Sequence, residues 1–197
     1  MSSSQPIKLH VIIASTRQNR FGEKPAQWIF EEARKRAEAE VELVDLRDHP
    51  LPFFNEPIPP GAMKGNYPNP DVTRWAKKVA EADGYIIVTP EYNHGYPAVL
   101  KNALDHLYGE WSRKPVGFVS YGGVGGARSV EQLRQVAIEF EMAPIRNAVH
   151  VPPEVTRAVK AGAPDPFAPL KGNAEKFFDQ LLWWAKALRT AREEAAR

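Results

Sequence analysis

The chain has 197 residues, of which 43% are hydrophobic, and this length suits one domain with a sizeable core. It carries 26 Lys and Arg against 24 Asp and Glu, so the net charge is +2, which argues against binding to nucleic acid or to an anionic membrane surface. The sequence contains no cysteine, which excludes disulfides, thiolate nucleophiles, iron–sulfur clusters and cysteine-ligated zinc.

The N-terminal residues bear on where the protein is expected to reside. Residues 1–6 are polar and lack a basic region ahead of a long apolar run, so we expect no secretory signal. The apolar run from Leu9 to Ala14 is too short to span a bilayer. The chain has no internal repeat and no linker that would divide it. The sequence therefore predicts one cytoplasmic domain over residues 1–197, with neither a membrane nor a nucleic acid as partner.

Five short segments are rich in apolar and β-branched residues, as β-strands are. They are Ile7–Ile13, Val41–Asp45, Tyr85–Thr89, Val116–Ser120 and Ala148–Val151. Apolar residues with helical spacing follow or separate them, between Ala26 and Ala37, Val72 and Val79, Leu100 and Tyr108, Val130 and Phe140, and Phe177 and Leu188. This alternation of strand and helix is typical of a parallel sheet with helices on both faces.

The composition of each strand predicts its place in the sheet. The first, third and fourth strands are almost continuously apolar, as central parallel strands are, whereas charges alternate through Val41–Asp45, as on an edge. The pattern favours the order 2-1-3-4-5, so the predicted fold is an α/β three-layer sandwich of the flavodoxin type, with five parallel strands. In such sheets ligands bind beyond the carboxyl ends of the strands.

Two proline-rich stretches, Leu46–Pro70 and Pro152–Gly172, show neither helical nor strand patterning. Both follow strands, so both are expected at the carboxyl edge of the sheet. Loops of more than about 20 residues are uncommon in compact domains and are often functional. Surface packing or contact between subunits is an equally good interpretation, and the sequence leaves the choice open.

The segment after the first strand combines hydroxyl groups, two arginines and a glycine ahead of a helix. It runs from Ala14 to Lys24 and contains the candidate cofactor-binding residues Ser15, Arg17, Arg20, Phe21 and Gly22. A helix N-terminus offers free backbone N–H groups and a positive dipole end, which bind anions. Each arginine would add charge-assisted hydrogen bonds of about 1.5–3 kcal/mol. We therefore predict a phosphate site, with simple capping of the helix by Ser15 and Thr16 as the alternative.

This segment does not have the pattern of the common nucleotide cradles. It lacks both G-x-x-x-x-G-K-[ST] and G-x-G-x-x-G, and Gly22 is its single glycine. A P-loop ATPase and a Rossmann dehydrogenase are therefore disfavoured. A phosphomonoester such as that of FMN remains as the predicted ligand.

The third strand ends in a longer motif, PEYNHGYPAVLKNALD, which covers residues 90–105. It resembles the P-E-Y-N-x-[SG]-x-P-G-x-L-K-N-A-[IL]-D motif of the NADPH-dependent FMN reductase family, which includes chromate, quinone and azo-dye reductases. The one departure is Ala98, where the family usually has glycine. A chance match of this length, placed directly after the third strand, is very improbable.

The resemblance implies that backbone groups of the motif's first residues contact the isoalloxazine ring. The candidate cofactor-binding residues here are Pro90, Glu91, Tyr92, Asn93 and His94. Their chemistry agrees, because a tyrosine ring offers a stacking wall and an asparagine offers both a donor and an acceptor. We expect Lys101, Asn102 and Asp105 to anchor the segment instead. No histidine has metal-ligand spacing with His94, so no metal site is predicted.

A glycine-rich segment follows the fourth strand and is similar to the family's S-x-G-x-x-G-G-x-R. Its candidate cofactor-binding residues are Ser120, Tyr121, Gly122 and Gly123, which the resemblance puts on the pyrimidine side of the flavin. A plain glycine turn is the alternative. The surroundings of Ser120 are not a G-x-S-x-G elbow, so we do not interpret it as a nucleophile. Arg128 is expected either to meet a nicotinamide nucleotide phosphate or to hold the end of a helix.

Together the motifs predict an enzyme that binds FMN and uses NADPH or NADH as co-substrate. The resemblance implies ping-pong hydride transfer through the flavin to a small-molecule acceptor such as a quinone, free flavin, azo compound, chromate or oxygen, with no catalytic acid or base from the protein. Two alternatives are a non-catalytic FMN electron carrier and a flavin-binding interaction protein, although carriers are usually strongly acidic. The resemblance also implies a homodimer or homotetramer, with residues 46–70 as the candidate contact.

Overall fold

The computed structural model describes residues 5–196; residues 1–4 and Arg197 lie outside that range, and with them most of the segment on which the signal-peptide prediction rests. The central sheet has five strands. They are β1 (Ile7–Ile13), β2 (Ala39–Asp45), β3 (Gly84–Pro90), β4 (Pro115–Tyr121) and β5 (Ala143–Val151). All neighbouring pairs are parallel and the order is β2-β1-β3-β4-β5. The predicted flavodoxin-like topology is confirmed.

Helices cover both faces of this sheet. Those of the described residues are α1 (Glu23–Arg34), α2 (Pro60–Met63), α3 (Pro70–Ala80), α4 (Ala98–Asp105), α5 (Ala127–Glu139), α6 (Pro153–Lys160) and α7 (Lys171–Ala195). One face packs against α3, α4 and α5 around Trp75 and Trp111, and the other against α1 and α7 around Ile29 and Phe177. Side chains of β1 alternate between the two layers, with Ile12 in the first and Ile13 in the second, as strand geometry requires. Among the described residues, no helix is long and apolar enough to cross a membrane.

The prediction that the two proline-rich stretches lack helix was wrong. Residues 46–70 contain a 3-10 turn at Leu46–Asp48 and the short α2, and residues 152–172 contain α6 and a second 3-10 turn at Ala168–Leu170. Proline opens three of these helices, because Pro60, Pro70 and Pro153 occupy first-turn positions. The first turn of a helix needs no N–H donor, so proline there starts a helix rather than breaking it.

The last strand begins five residues earlier than predicted, at Ala143. Its first half contains Pro144, Arg146 and Asn147, and its register against β4 shifts between Val116 and Phe118. An edge strand exposes one side and tolerates such an irregularity, so its hydropathy pattern is weak. The central strands β3 and β4 are buried at every residue, as their continuous apolar sequence predicts.

Candidate functional site

Three loops leave the carboxyl ends of adjacent strands and meet at one edge of the sheet. We call residues 14–22, after β1, the first loop; residues 91–97, after β3, the second loop; and residues 122–126, after β4, the third loop. Because β1, β3 and β4 are neighbours, the loops converge where the chain order of the strands reverses. This is the position at which open α/β sheets bind their ligands.

The first loop leaves several backbone donors unused. Within residues 5–196 the structure gives no acceptor to the N–H groups of Ser15, Thr16, Gln18 and Asn19. Helix α1 begins directly after them, and its N-cap, Gly22, contributes no side-chain cap. The alternative that Ser15 and Thr16 cap the helix is therefore wrong. Free N–H groups beside a helix N-terminus form an anion cradle, so the donor set fits a phosphate.

Two tyrosine side chains close this cradle from the neighbouring loops. The Ser15 hydroxyl lies 2.8 Å from that of Tyr92. A Cβ atom on Gly22 would lie 2.5 Å from the hydroxyl oxygen of Tyr121, so glycine is required for this approach, and Phe21 packs edge-on against the Tyr121 ring at 5.2 Å. Burial raises the pKa of Tyr121, which keeps its hydroxyl protonated and able to donate.

The two arginines of the first loop have opposite environments. The Arg17 guanidinium is exposed and lies 5.6 Å from the centroid of the Tyr92 ring. The Arg20 side chain is only 2% exposed; it forms a two-pronged ion pair with Asp45, contacts Glu23 at 3.1 Å and donates to the Ser15 carbonyl. The donors of Arg20 are thus used to hold the loop, and we expect Arg17 to make the predicted phosphate contact.

The pKa of Asp45 reflects this pairing. Burial alone would raise it, but hydrogen bonds from the Arg20 guanidinium and from the backbone N–H of Arg47 hold the pKa below its ordinary value of 3.8. Asp45 therefore stays ionised and keeps the first loop joined to the end of β2.

Arg47 is a site-forming residue that the sequence did not reveal. Its guanidinium donates to the carbonyl groups of Thr16, at 3.4 Å, and of Arg17, and forms an ion pair with Glu23 at 3.0 Å. These bonds use the carbonyl groups of Thr16 and Arg17 and join the first loop to the segment after β2. The available signal was the position of Arg47 just beyond the carboxyl end of β2, the strand beside β1.

The second loop contains a tight turn. Tyr92 and Gly95 exchange backbone hydrogen bonds of 2.8 and 3.0 Å, and between them Asn93 and His94 have φ angles of 51° and 70°. Two consecutive left-handed residues characterise a type I′ turn, which tolerates asparagine but is uncommon for histidine. Both residues are exposed, and in the described part of the chain their N–H groups have no acceptor. They are free to meet the polar edge of a flavin.

The backbone N–H and the side chain of Glu91 are already bonded within the protein. The N–H donates to the carbonyl of Tyr121 at 2.9 Å, and the carboxylate, 3% exposed, pairs with Arg128. The hydrogen bond from Arg128 lowers the pKa of Glu91, so the carboxylate is ionised. Of the predicted residues of this loop, Glu91 joins the second loop to α5, whereas the backbone N–H groups of Asn93 and His94 remain available.

At the end of β4 and in the third loop, too, some predicted residues are bonded within the protein and others are free. Ser120 is fully buried; its hydroxyl donates to the Gly125 carbonyl at 2.7 Å and accepts from Nδ1 of His150 at 2.8 Å. Burial lowers the pKa of His150, which favours the neutral imidazole. Gly123 by contrast is exposed, and a Cβ there would meet nothing within 4 Å. In the described residues the N–H groups of Gly122 and Gly123 have no acceptor.

The polar residues Lys101, Asn102 and Asp105 of α4 have structural contacts, but these lie within α4 and with the stretch 46–70 rather than with the second loop. Lys101 and Asp105 form an ion pair at 2.7 Å. The Asn102 side chain donates to the carbonyl of Pro52 at 2.8 Å and accepts from the N–H of Phe54 at 2.9 Å. Asn102 therefore fixes part of the proline-rich stretch 46–70 against the site.

A cleft of about 820 Å³ lies at the opposite, amino edge of the sheet. Four of its charged side chains are engaged within the fold: Arg189 and Arg192 pair with Asp83, and Lys114 donates to backbone carbonyls at the end of α3. A smaller groove of about 320 Å³ adjoins the first loop beside Thr16. Since ligands of this fold bind at the carboxyl edge, we assign the site from the three loops and not from cleft volume.

Comparisons with known proteins show the family and the fold of the chain. The sequence profile described as NADPH-dependent FMN reductase matches residues 7–155. An NAD(P)H-dependent FMN reductase of Schizosaccharomyces pombe is 39% identical, over 88% of this chain and 88% of the relative. A quinone reductase of Pseudomonas putida is 32% identical, over 71% of this chain and 74% of the relative. The flavoenzyme NAD(P)H:(acceptor) oxidoreductase FerB of Paracoccus denitrificans has the same fold, with a TM-score of 0.69 at 22% identity over 89% of this chain and 97% of FerB.

Proposed function

The chain belongs to the NADPH-dependent FMN reductase family, an assignment that makes it an FMN-dependent NAD(P)H oxidoreductase, and we propose that it works by two half-reactions with a quinone-type acceptor. One observation carries the proposal. Three loops with unbonded backbone N–H groups converge at the carboxyl ends of β1, β3 and β4. Such a surface suits a ligand with a phosphate at one end and a flat polar ring at the other.

The first loop binds the phosphate of FMN in this proposal. Its free N–H groups, the Ser15 hydroxyl and the start of α1 supply the donors, and Arg17 supplies the positive charge. Arg20, Phe21 and Gly22 shape the loop. A charge-assisted bond from Arg17 is worth about 1.5–3 kcal/mol in this setting.

The second and third loops hold the ring. Tyr92 provides an aromatic wall, the N–H groups of Asn93 and His94 meet the polar edge, and Gly122 and Gly123 allow the backbone to approach the pyrimidine side. Bound FMN supplies the redox chemistry, in which NAD(P)H gives up a hydride and an acceptor is then reduced in a second step. The protein orients the two reactants at the exposed ring face, and no side chain is needed as acid or base.

A quinone is the acceptor we favour, because a relative that is 32% identical over 71% of this chain is named a quinone reductase. Purified, FMN-loaded protein should lower the absorbance of NADPH at 340 nm when benzoquinone is added. A trace that stays flat with both NADPH and NADH would instead support the non-catalytic electron carrier. The near-neutral charge of +2 favours the enzyme, since carriers use strong acidity to meet their partners.

We also propose that the chain forms a homodimer or homotetramer through the stretch 46–70. Phe53 is 81% exposed, yet its neighbours Pro52 and Phe54 are held by Asn102 and His106. A large apolar side chain on a fixed loop suits an interface. Sedimentation velocity of the wild type should show an oligomer that Phe53→Ser weakens. A wild type that sediments as a monomer rejects the proposal.

A further inference from the structure

A charged cluster joins the second loop to the start of α5. The Arg128 Nε atom donates to Glu91 at 2.6 Å, a second guanidinium nitrogen pairs with the same carboxylate, and the Arg128 backbone N–H donates to it at 3.2 Å. The remaining guanidinium nitrogen lies 3.0 Å from Nε2 of His94. One turn further along α5, Gln132 donates to the His94 carbonyl at 2.9 Å.

These contacts act on a strained segment. Asn93 and His94 both have left-handed backbone conformations, which cost free energy for residues with a side chain. Such a conformation persists when the surroundings over-determine it. Here the turn is held from one side by its own backbone bonds between Tyr92 and Gly95 and from the other by Arg128 and Gln132.

We propose that Glu91 and Arg128 form a positioning pair, which keeps the Tyr92–Gly95 turn in the conformation that receives the flavin ring, and that Arg128 does not bind the phosphate of the nicotinamide nucleotide. The inference rests on the proposed function. In this proposal Arg128 is a positioning residue that acts through the turn. The Glu91 side chain is almost completely enclosed and so cannot contact a ligand, but it can hold Arg128 in place.

The engagement of Arg128 argues against a role in phosphate binding. Both edges of its guanidinium are used, one by Glu91 and one by His94, and the adjacent carboxylate neutralises its charge. An arginine that selects a phosphate presents a free fork to it. To bind NADPH through Arg128, the protein would have to break the contact with His94 and bring the phosphate to a guanidinium whose charge the Glu91 carboxylate already neutralises.

The test uses the full chain and four variants: Arg128→Ala, Arg128→Lys, Glu91→Gln and the Glu91→Gln/Arg128→Ala double variant. Arg74→Ala, which removes an exposed ion pair with Asp71 on α3, is the matched control. FMN affinity is measured by flavin fluorescence. The mobility of residues 91–95 is measured by hydrogen exchange of the apo protein. Turnover is measured at saturating quinone while the concentration of NADPH or of NADH is varied.

We expect Arg128→Ala and Glu91→Gln each to weaken FMN binding about tenfold and to speed exchange in the turn, because either change breaks the same pair. Both should lower kcat by the same factor with NADPH and with NADH. The double variant should be little worse than either single one. Arg128→Lys should fail to restore protection of the turn, since lysine keeps the charge and loses the fork.

Two results overturn the inference. One is a rise in KM for NADPH alone in Arg128→Ala, rescued by Arg128→Lys and absent from Glu91→Gln, which marks a phosphate ligand. The other is wild-type FMN affinity and wild-type exchange in both single variants. A wild type that oxidises neither nicotinamide rejects the proposed function instead, and the fluorescence and exchange measurements still decide whether the pair positions the turn.

Discussion

The first loop has an inner side and an outer side of opposite character. Arg20 faces inward, where Asp45, Glu23 and the Ser15 carbonyl use its donors, while Arg17, three residues earlier, stays exposed above the ring of Tyr92. The end of β4 and the third loop repeat the division, with Ser120 of β4 buried and Gly123 of the loop exposed. The difference teaches that a ligand loop needs as many residues to fix its shape as to touch its ligand, and that residue type does not tell the two apart.

Removing Arg20 should have the largest effect. Arg20→Ala leaves Asp45 without its ion-pair partner, while Glu23 keeps its pair with Arg47, and we expect a loss of about 2–4 kcal/mol in the free energy of unfolding, less than for a wholly enclosed pair because Asp45 is partly solvated. Urea unfolding measures it. Arg17→Ala is the control, expected within about 0.5 kcal/mol of the wild type. Equal losses of unfolding free energy in the two variants would show that the inner and outer arginines do not differ in their contribution to stability.

The third loop offers the same comparison between two glycines. A Cβ on Gly126 would lie 2.7 Å from that of Ser120 at a φ of 79°, whereas one on Gly123 would meet nothing within 4 Å. Gly126→Ala should therefore cost about 1–3 kcal/mol of stability through overpacking and backbone strain, and Gly123→Ala very little. Thermal unfolding of the pair checks this; similar melting temperatures would show that the inner side of the loop adapts.

Arg17 should matter for ligand binding and not for folding. Arg17→Ala is expected to weaken FMN binding about tenfold or more, since it removes a charge-assisted bond to the phosphate. Fluorescence titration gives the dissociation constant, with Lys24→Ala at the exposed start of α1 as a control of equal charge change. If Arg17→Ala protein keeps its yellow colour through dialysis as well as the wild type does, Arg17 is not a phosphate ligand.

The smallest effect concerns pH. The folded-state pKa of Asp45 is lowered, so its ion pair stabilises the protein above the ordinary value of 3.8 and that contribution is lost as the pH falls through the lower folded-state value. Unfolding free energies measured between pH 6 and about pH 3 should converge for the wild type and Arg20→Ala. A gap between them that does not narrow with acid would mean that Arg20 acts through packing alone.

Much of the architecture follows from the sequence. Continuous apolar strands flanked by amphipathic helices determine a buried parallel sheet. The charges of Val41–Asp45 determine the edge of that sheet, because a strand buried on two faces and a strand buried on one face have different patterns of apolar residues. Prolines misled the prediction for residues 152–172, since a proline at a first turn and a proline in a loop look alike in sequence.

The sequence by itself determined the fold, the edge of the sheet that carries the site, and the three segments that meet there, because these depend on local patterning and on one long motif. Only the tertiary structure decided which residues of those segments stay free. Arg47 donates to the first loop from the segment just beyond β2. Arg20 forms an ion pair with Asp45, and Glu91 forms one with Arg128. Each outcome depends on a partner 24 to 37 positions away or on the packing of two loops, and a charge paired across such a distance leaves no trace in the local sequence.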